Sequence, residues 1–188
     1  MQHSVAISEF GSIYVWGSNN YGQCGLENEA GCDSFFSVPK LVKTLATDHV
    51  VQVACGQFHT LALTNSGDLY SFGANMYGQL GLGSENEKVT KPTLVKSLQG
   101  IPIAHISCGA NHSFILSTSG SIYGFGKNIF GQLGVGDIVS RPFPTHVKTL
   151  RNQKVRYISC GDEYSTFLTH DGGVFTTGLG SFGQLGHG

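Results

Sequence analysis

The chain has 188 residues, 40% of them hydrophobic and 12% charged, with a formal net charge of −1. Half of the usual ~25% charged content, together with ample apolar mass, excludes a disordered polyelectrolyte, and near-neutrality argues against a dedicated nucleic-acid surface. Glycine, at 27 residues, is present at roughly twice its usual ~7% share, which points to a chain broken by many tight turns.

In chain order, His3-Ser4-Val5-Ala6-Ile7 reads as a short strand, and Trp16-Gly17 precedes the motif Gly22-Gln23-Cys24-Gly25. A variable stretch follows that carries Glu27, Glu29 and Asp33. Val50 to Ala54 and Leu61 to Leu63 are β-rich runs, Asn65-Ser66-Gly67-Asp68 is a turn, and Leu69 to Phe72 is the next strand. Phe72-Gly73 and Gly78-Gln79-Leu80-Gly81 repeat the earlier motif, a second variable loop carries Glu85 and Glu87, and Thr93-Leu94-Val95 is a candidate strand after Pro92. The same order returns with Cys108-Gly109, Phe125-Gly126 and Gly131-Gln132-Leu133-Gly134, then with Cys160-Gly161, Thr177-Gly178 and Gly183-Gln184-Leu185-Gly186. Thr118 to Ser121 and His170 to Gly173 repeat the turn.

The spacing of these signatures identifies a repeat. Successive Gly-Gln motifs start 56, 53 and 52 residues apart. From Cys55, Cys108 and Cys160 to Gly73, Gly126 and Gly178 the separation is 18 residues each time. The distance from the end of a Gly-Gln motif to the next Cys-Gly varies: 30, 27, then 26 residues. A fixed segment alternating with a variable one is the behaviour of a packed scaffold that displays loops on one side. About four short strands per unit, and no sustained 3.6-residue apolar period, predict propeller blades.

No apolar run is long enough to cross a bilayer, and Met-Gln-His-Ser-Val-Ala-Ile-Ser lacks the basic start and apolar stretch of a secretory leader. Five cysteines without zinc-ligand spacing fit a reducing compartment, the cytosol with the nucleus as the alternative.

The pattern Cys-Gly, two residues, His-Ser/Thr, an apolar strand, a Gly turn, aromatic-Gly and Gly-Gln-Leu-Gly resembles the repeats of the regulator of chromosome condensation family. It runs here from Cys55-Gly56-Gln57-Phe58-His59-Thr60 to Gly81, and from Cys108-Gly109-Ala110-Asn111-His112-Ser113 to Gly134. That resemblance implies a seven-bladed β-propeller. Ser97 to Pro102 and Leu150 to Val155 are similar to the repeats of the HERC group of HECT ubiquitin ligases. About three and a half units are present, in a single domain 1–188 with units 1–10, 11–66, 67–119, 120–171 and 172–188. The expected fold is all-β, an open partial propeller of about three to four blades of the type that closes with seven. Departures are Tyr164 at the repeat histidine, Thr177 at the aromatic before Gly178, and Cys24 at the leucine of the Gly-Gln motif.

His3, His59 and His112 occupy one equivalent place per unit, so they are distributed rather than convergent, and a structural hydrogen bond to neighbouring backbone is the expected role. Cys55, Cys108 and Cys160 follow apolar strands with no fixed Lys or Arg beside them, which suits buried packing rather than a nucleophile. Gly178-Leu179-Gly180-Ser181-Phe182-Gly183 fits a three-glycine nucleotide pattern, yet no helix follows it to meet a pyrophosphate. No catalytic, cofactor or metal constellation is expected. The candidate partner-contact residues are Glu27, Glu29, Asp33, Glu85 and Glu87 in the variable loops, and the basic Arg141, Lys148, Arg151 and Lys154.

The functional expectation is a non-catalytic protein-interaction module, a truncated form or fragment of a HERC-like ubiquitin ligase. Its partners would be proteins, ubiquitination substrates or a small GTPase, with no membrane and no nucleic acid, and open blade edges would favour self-association. Nucleotide exchange on a Ran-type GTPase and a chromatin-binding scaffold remain open as alternatives.

Overall fold

The computed structural model describes residues 2–26, 34–84 and 86–188, and every statement of structure concerns these. Four antiparallel sheets account for their regular structure. The first holds β1 (His3–Ile7), β2 (Ile13–Ser18) and β3 (Phe35–Leu41) in that order. The second holds β4 (Val50–Cys55), β5 (His59–Thr64), β6 (Leu69–Ala74) and β7 (Lys88–Leu94). The third repeats it with β8 (Ile103–Cys108), β9 (His112–Ser117), β10 (Ile122–Gly126) and β11 (Arg141–His146). The fourth holds β12 (Val155–Cys160), β13 (Tyr164–Thr169) and β14 (Val174–Gly178). Each sheet is a meander in which consecutive strands pair, and none closes on itself. These are four blades of an open propeller, as the repeat predicts.

The repeat units and the blades are out of phase. The segment 67–119 contains β6 and β7 of one sheet and β8 and β9 of the next. Each unit therefore ties the outer half of one blade to the inner half of its neighbour.

Both faces of β5 and β9 are covered by neighbouring blades, so these strands are buried throughout instead of alternating with exposed residues, with apolar centres at Leu61–Leu63 and Phe114–Leu116 between buried polar ends. All six residues of β5 and all six of β9 are buried. Leu61 and Leu63 face the third sheet and pack with Ile106, Ile115 and Phe125. Ala62 faces the first and packs with Ile13, Val15, Val50 and Phe72. The third interface repeats the scheme with Phe114, Leu133, Ile158 and Phe167. A fully buried Leu or Phe contributes about 1.5–3 kcal/mol, so the interfaces between blades carry the stability.

The outer strands differ from the sequence reading. The candidate strand after Pro92 is the end of β7, which begins at Lys88. Thr90, Lys91 and Pro92 bulge opposite Phe72, between the pairs Gly73↔Val89 and Ser71↔Thr93. Pro39 and Pro144 occupy the same place in β3 and β11. Proline cannot donate to a ladder, and it is tolerated because these strands lie at the edge of their sheets and bulge where it falls.

These outer strands cross over the Gly-Gln turn of the preceding blade. A Cβ on Gly78 would lie 2.3 Å from Cα of Pro142, and one on Gly22 would lie 2.6 Å from Cα of Thr90. Gly131 has the same left-handed backbone (φ +74 against +78 for Gly78), but nothing lies within 4 Å of its Cβ position, because the fourth sheet has no strand beyond β14. A cleft of about 450 Å³ lined by Gly131, Ile138, Phe167 and Phe175 marks the place.

Candidate interaction surface

Each Gly-Gln turn is built locally by two side chains. In the second blade, Gln79 Oε1 accepts from the backbone N–H of Tyr77, and Asn75 Oδ1 accepts from that of Leu80. Gln132 and Asn128 do the same in the third blade, bonding the N–H groups of Phe130 and Leu133. In the first blade Gln23 and Asn19 bond the N–H groups of Tyr21 and Cys24. The amides replace the partners that a tight turn would otherwise leave wanting. They also fix the two residues at the tip of the turn, which point away from the sheet.

Blade is joined to blade by a repeated relay. His59 Nε2 lies 2.9 Å from Ser113 Oγ, and Ser113 Oγ donates to the Gln79 carbonyl at 2.9 Å. His112, Ser165 and the Gln132 carbonyl form the next copy, and His3, Thr60 and the Gln23 carbonyl the one before. A hydroxyl that donates to a carbonyl must accept from the histidine, so each ring is the neutral Nε2–H tautomer. Nδ1 of all three rings is buried without a partner. The histidines are structural, as expected, but their partner is a hydroxyl of the adjoining blade rather than backbone. That difference arises because Ser or Thr follows the histidine in every unit and therefore faces the preceding blade.

The inner strands are linked by the residues that directly follow their bulges. The Gln52 side chain donates to the Ile106 carbonyl at 3.3 Å and accepts from its N–H at 3.2 Å, and its amide also meets His105 Nδ1 at 2.9 Å. His105 Nε2 donates to the Ile158 carbonyl at 2.9 Å, and its ring stacks on Tyr157 with centroids 4.5 Å apart.

On the edge formed by the Cys-Gly loops and the Gly-Gln turns, one lysine gathers three blades. Lys127 Nζ lies 2.5 Å from Glu163 Oε1 of the fourth blade. It lies 5.5 Å from the Tyr77 ring of the second blade and 5.3 Å from the Phe130 ring of its own. Gln132 Nε2 donates to the other oxygen of Glu163 at 2.7 Å. Beside this clasp, Met76, Tyr77, Ile129 and Phe130 form a ridge of turn-tip side chains, with Met76 51% and Ile129 49% exposed. Most of the clasp is shielded from water, so its charge pair is worth more than a typical surface pair. A double-mutant cycle with Lys127→Met and Glu163→Gln, read by urea unfolding, should give a coupling energy of about 1 kcal/mol. Additive single effects would show that the pair contributes nothing.

The charged candidates do not assemble into one site. Glu27, Glu29, Asp33 and Glu85 lie outside the described residues. Glu87 is exposed next to the ridge, where its carbonyl accepts from the N–H of Asn75. Arg141 bonds Asp137 and the Val139 carbonyl on the same edge. Lys148 and Arg151 flank a 3-10 turn on the opposite edge, and Lys154, the non-glycine residue with positive φ (24°), lies beyond it. The ridge and the clasp were missed. Their signal was present, an aromatic residue immediately before every Gly-Gln motif: Tyr21, Tyr77, Phe130 and Phe182.

Burial pushes the thiols of Cys55, Cys24 and Cys160 up to about 11, 12 and 12, and that of Cys108 upward as well. Such thiols favour the protonated form and act as packing groups, as expected for Cys55, Cys108 and Cys160; Cys24 is a buried free thiol as well. Among the described residues no cluster of three His, Cys, Asp or Glu could hold a metal ion.

The model of one family, the RCC1-like domain, matches residues 1–188. The chain is similar to the human protein described as probable E3 ubiquitin-protein ligase HERC4, 46% identical over 234 aligned positions that cover 100% of this chain and 22% of that protein. Human probable E3 ubiquitin-protein ligase HERC3 is 48% identical over 232 positions, covering 98% of this chain and 22% of its own length. Among solved structures, yeast RCC1 (Prp20) in its complex with Kap60 superposes with a TM-score of 0.82 at 25% identity, over 95% of this chain and 42% of that one. The chain thus spans about a fifth of the length of these ligase relatives.

Proposed function

The chain belongs to the RCC1-like domain family, and from that premise we infer that it is a non-catalytic protein-interaction module that recruits or selects partners for a HERC-like ubiquitin ligase, as a part or a short form of one. The observation that carries this reading is the exposed ridge of Met76, Tyr77, Ile129 and Phe130, held on turns whose backbone is locked by Asn75, Gln79, Asn128 and Gln132. Rigid turns with apolar tips suit recognition, since little ordering is needed when a partner docks. Fold alone would be a weak warrant; the ridge adds a specific place. The four described cysteines are free thiols, which supports a reducing compartment, the cytosol or nucleus.

Proximity labelling in cells with the tagged chain tests this. A reproducible set of proteins should be enriched over an unrelated propeller, and an excess of the chain should lower ubiquitination within that set by competing with ligase relatives. An empty set, with an unchanged ubiquitin profile, would remove the reading.

A further inference from the structure

The outer strands of the first three blades share one pattern. Each has a proline three residues before the valine that directly follows the strand: Pro39 and Val42, Pro92 and Val95, Pro144 and Val147. Their seating is shared as well. In β7 and β11, Val89 and Arg141 stand opposite Gly73 and Gly126, three residues bulge, and Thr93 and Thr145 stand opposite Ser71 and Gly124. The first bulged residue covers the turn of the blade before, Thr90 over Gly22 and Pro142 over Gly78. The Pro142 carbonyl also accepts from the N–H of Gly83 at 3.0 Å. All three valines are buried, and their N–H groups donate to the carbonyls of Ile13, Leu69 and Ile122.

The fourth sheet has every part that receives such a strand, while no strand lies beyond β14 among the described residues. Gly131 and Gly136 repeat the places of Gly78 and Gly83, both with positive φ and with nothing within 4 Å of a Cβ. Together with Phe167 and Phe175 they line the cleft beside β14. Val174 occupies the place of Ile13, Leu69 and Ile122; those three are 1–2% exposed, whereas Val174 is 64% exposed. An edge of unpaired backbone groups beside an apolar cleft is the kind of surface that takes up an added strand.

Going beyond the ridge, we propose that β14 and its cleft are an acceptor site for an extended segment of a partner protein that carries proline three residues before valine. The segment adds antiparallel to β14. Its valine covers Val174 and donates to the Val174 carbonyl. Its proline closes a bulge whose first residue lies over Gly131 and accepts from the N–H of Gly136. Proline has no N–H to leave unpaired at the bulge, and it keeps the free segment extended, so docking imposes less order. A second copy of this chain is a poor donor, because its β3, β7 and β11 are paired in their own sheets and giving one up opens an equal edge there.

The test uses the full chain and a synthetic peptide with the sequence of residues 140–149, against a scrambled peptide of the same composition. The native-order peptide should bind saturably, raise the melting temperature, and shift the amide resonances of residues 131–136 and 174–178. Val174→Asp places a charge where the valine must pack, on a side chain exposed enough that the fold should be unaffected, and should weaken binding at least about tenfold. Equal binding of the scrambled peptide, shifts confined to the first sheet, or undiminished binding by the variant would each overturn the proposal. So would dimers of the unaltered chain that Val174→Asp disperses, since a second copy would then be the occupant. Proximity labelling keeps this reading apart from the module. If Val174→Asp loses no partner, the strand assignment fails while the module stands; if the unaltered chain has no partner set, the module itself fails.

Discussion

Lowering the pH from 7 to 5 should remove about 6 kcal/mol of stability from this chain, roughly 2 kcal/mol for each of three histidines. Burial holds His59 and His112 at about 3 and His3 at about 4, against an ordinary value of 6.5. A proton therefore binds the unfolded chain first. The stability these rings contribute is complete above pH 6.5, declines as pH falls below it, and is gone once pH passes the folded values near 3 to 4. Protonation would add an N–H at Nδ1, where the buried ring has no acceptor. The loss matches the whole margin of many domains, about 5–15 kcal/mol, so urea midpoints measured between pH 7.5 and 4.5 should collapse near pH 5. A midpoint that stays flat across this window would contradict the buried neutral tautomer. Replacing His112 by Tyr, the residue found at position 164 in the next unit, should reduce the slope by about a third.

Gly109→Ala should destabilise the chain by about 3 kcal/mol, the upper range of overpacking, although its φ is not in the left-handed region. A Cβ there would lie 2.0 Å from His112 Cε1 and 2.6 Å from the Gly161 carbonyl oxygen. The ring is fixed by its bond to Ser165 and the carbonyl by its own blade, so neither yields readily. Gly56 and Gly161 meet His59 and Tyr164 at 2.1 Å in the same way, which explains why a glycine follows each repeat cysteine. Gly120→Ala is the control. Its φ is +84 but nothing lies within 4 Å, so only the left-handed strain of about 1 kcal/mol remains. Thermal melts of the two variants should separate clearly, and equal losses would show that space around Gly109 is not the constraint.

Much of this architecture was legible because it is local. The constant 18 residues from Cys-Gly to the aromatic-Gly pair span two strands and one turn, and such a hairpin has one register. Strands β4, β5 and β6 accordingly fall where the apolar runs and the Asn-Ser-Gly turn place them. What remained hidden depends on neighbours about fifty residues away. The partner of each histidine lies 53 to 57 residues along the chain, and Lys127 meets residues 50 before it and 36 after it. In the sequence Lys127 is an isolated charge beside a glycine, whereas the run from Lys148 to Arg156 is conspicuous. Proximity in sequence does not carry over into space here: Arg141 and Lys148 lie on opposite edges of one blade. The start of β7 was missed for a related reason, since Pro92 ends a strand in isolation but not at a bulged sheet edge.

The covering of each Gly-Gln turn by the next blade's outer strand sets a schedule for synthesis. Thr90 lies 68 residues after Gly22, and Pro142 lies 64 after Gly78. At ribosomal rates of about 5–20 residues per second, each turn waits on the order of 3–14 s for its cover. Throughout that interval the nascent chain presents one unfinished apolar flank, renewed with every blade. A molecule built this way needs folding helpers steadily during elongation, rather than in one burst at release.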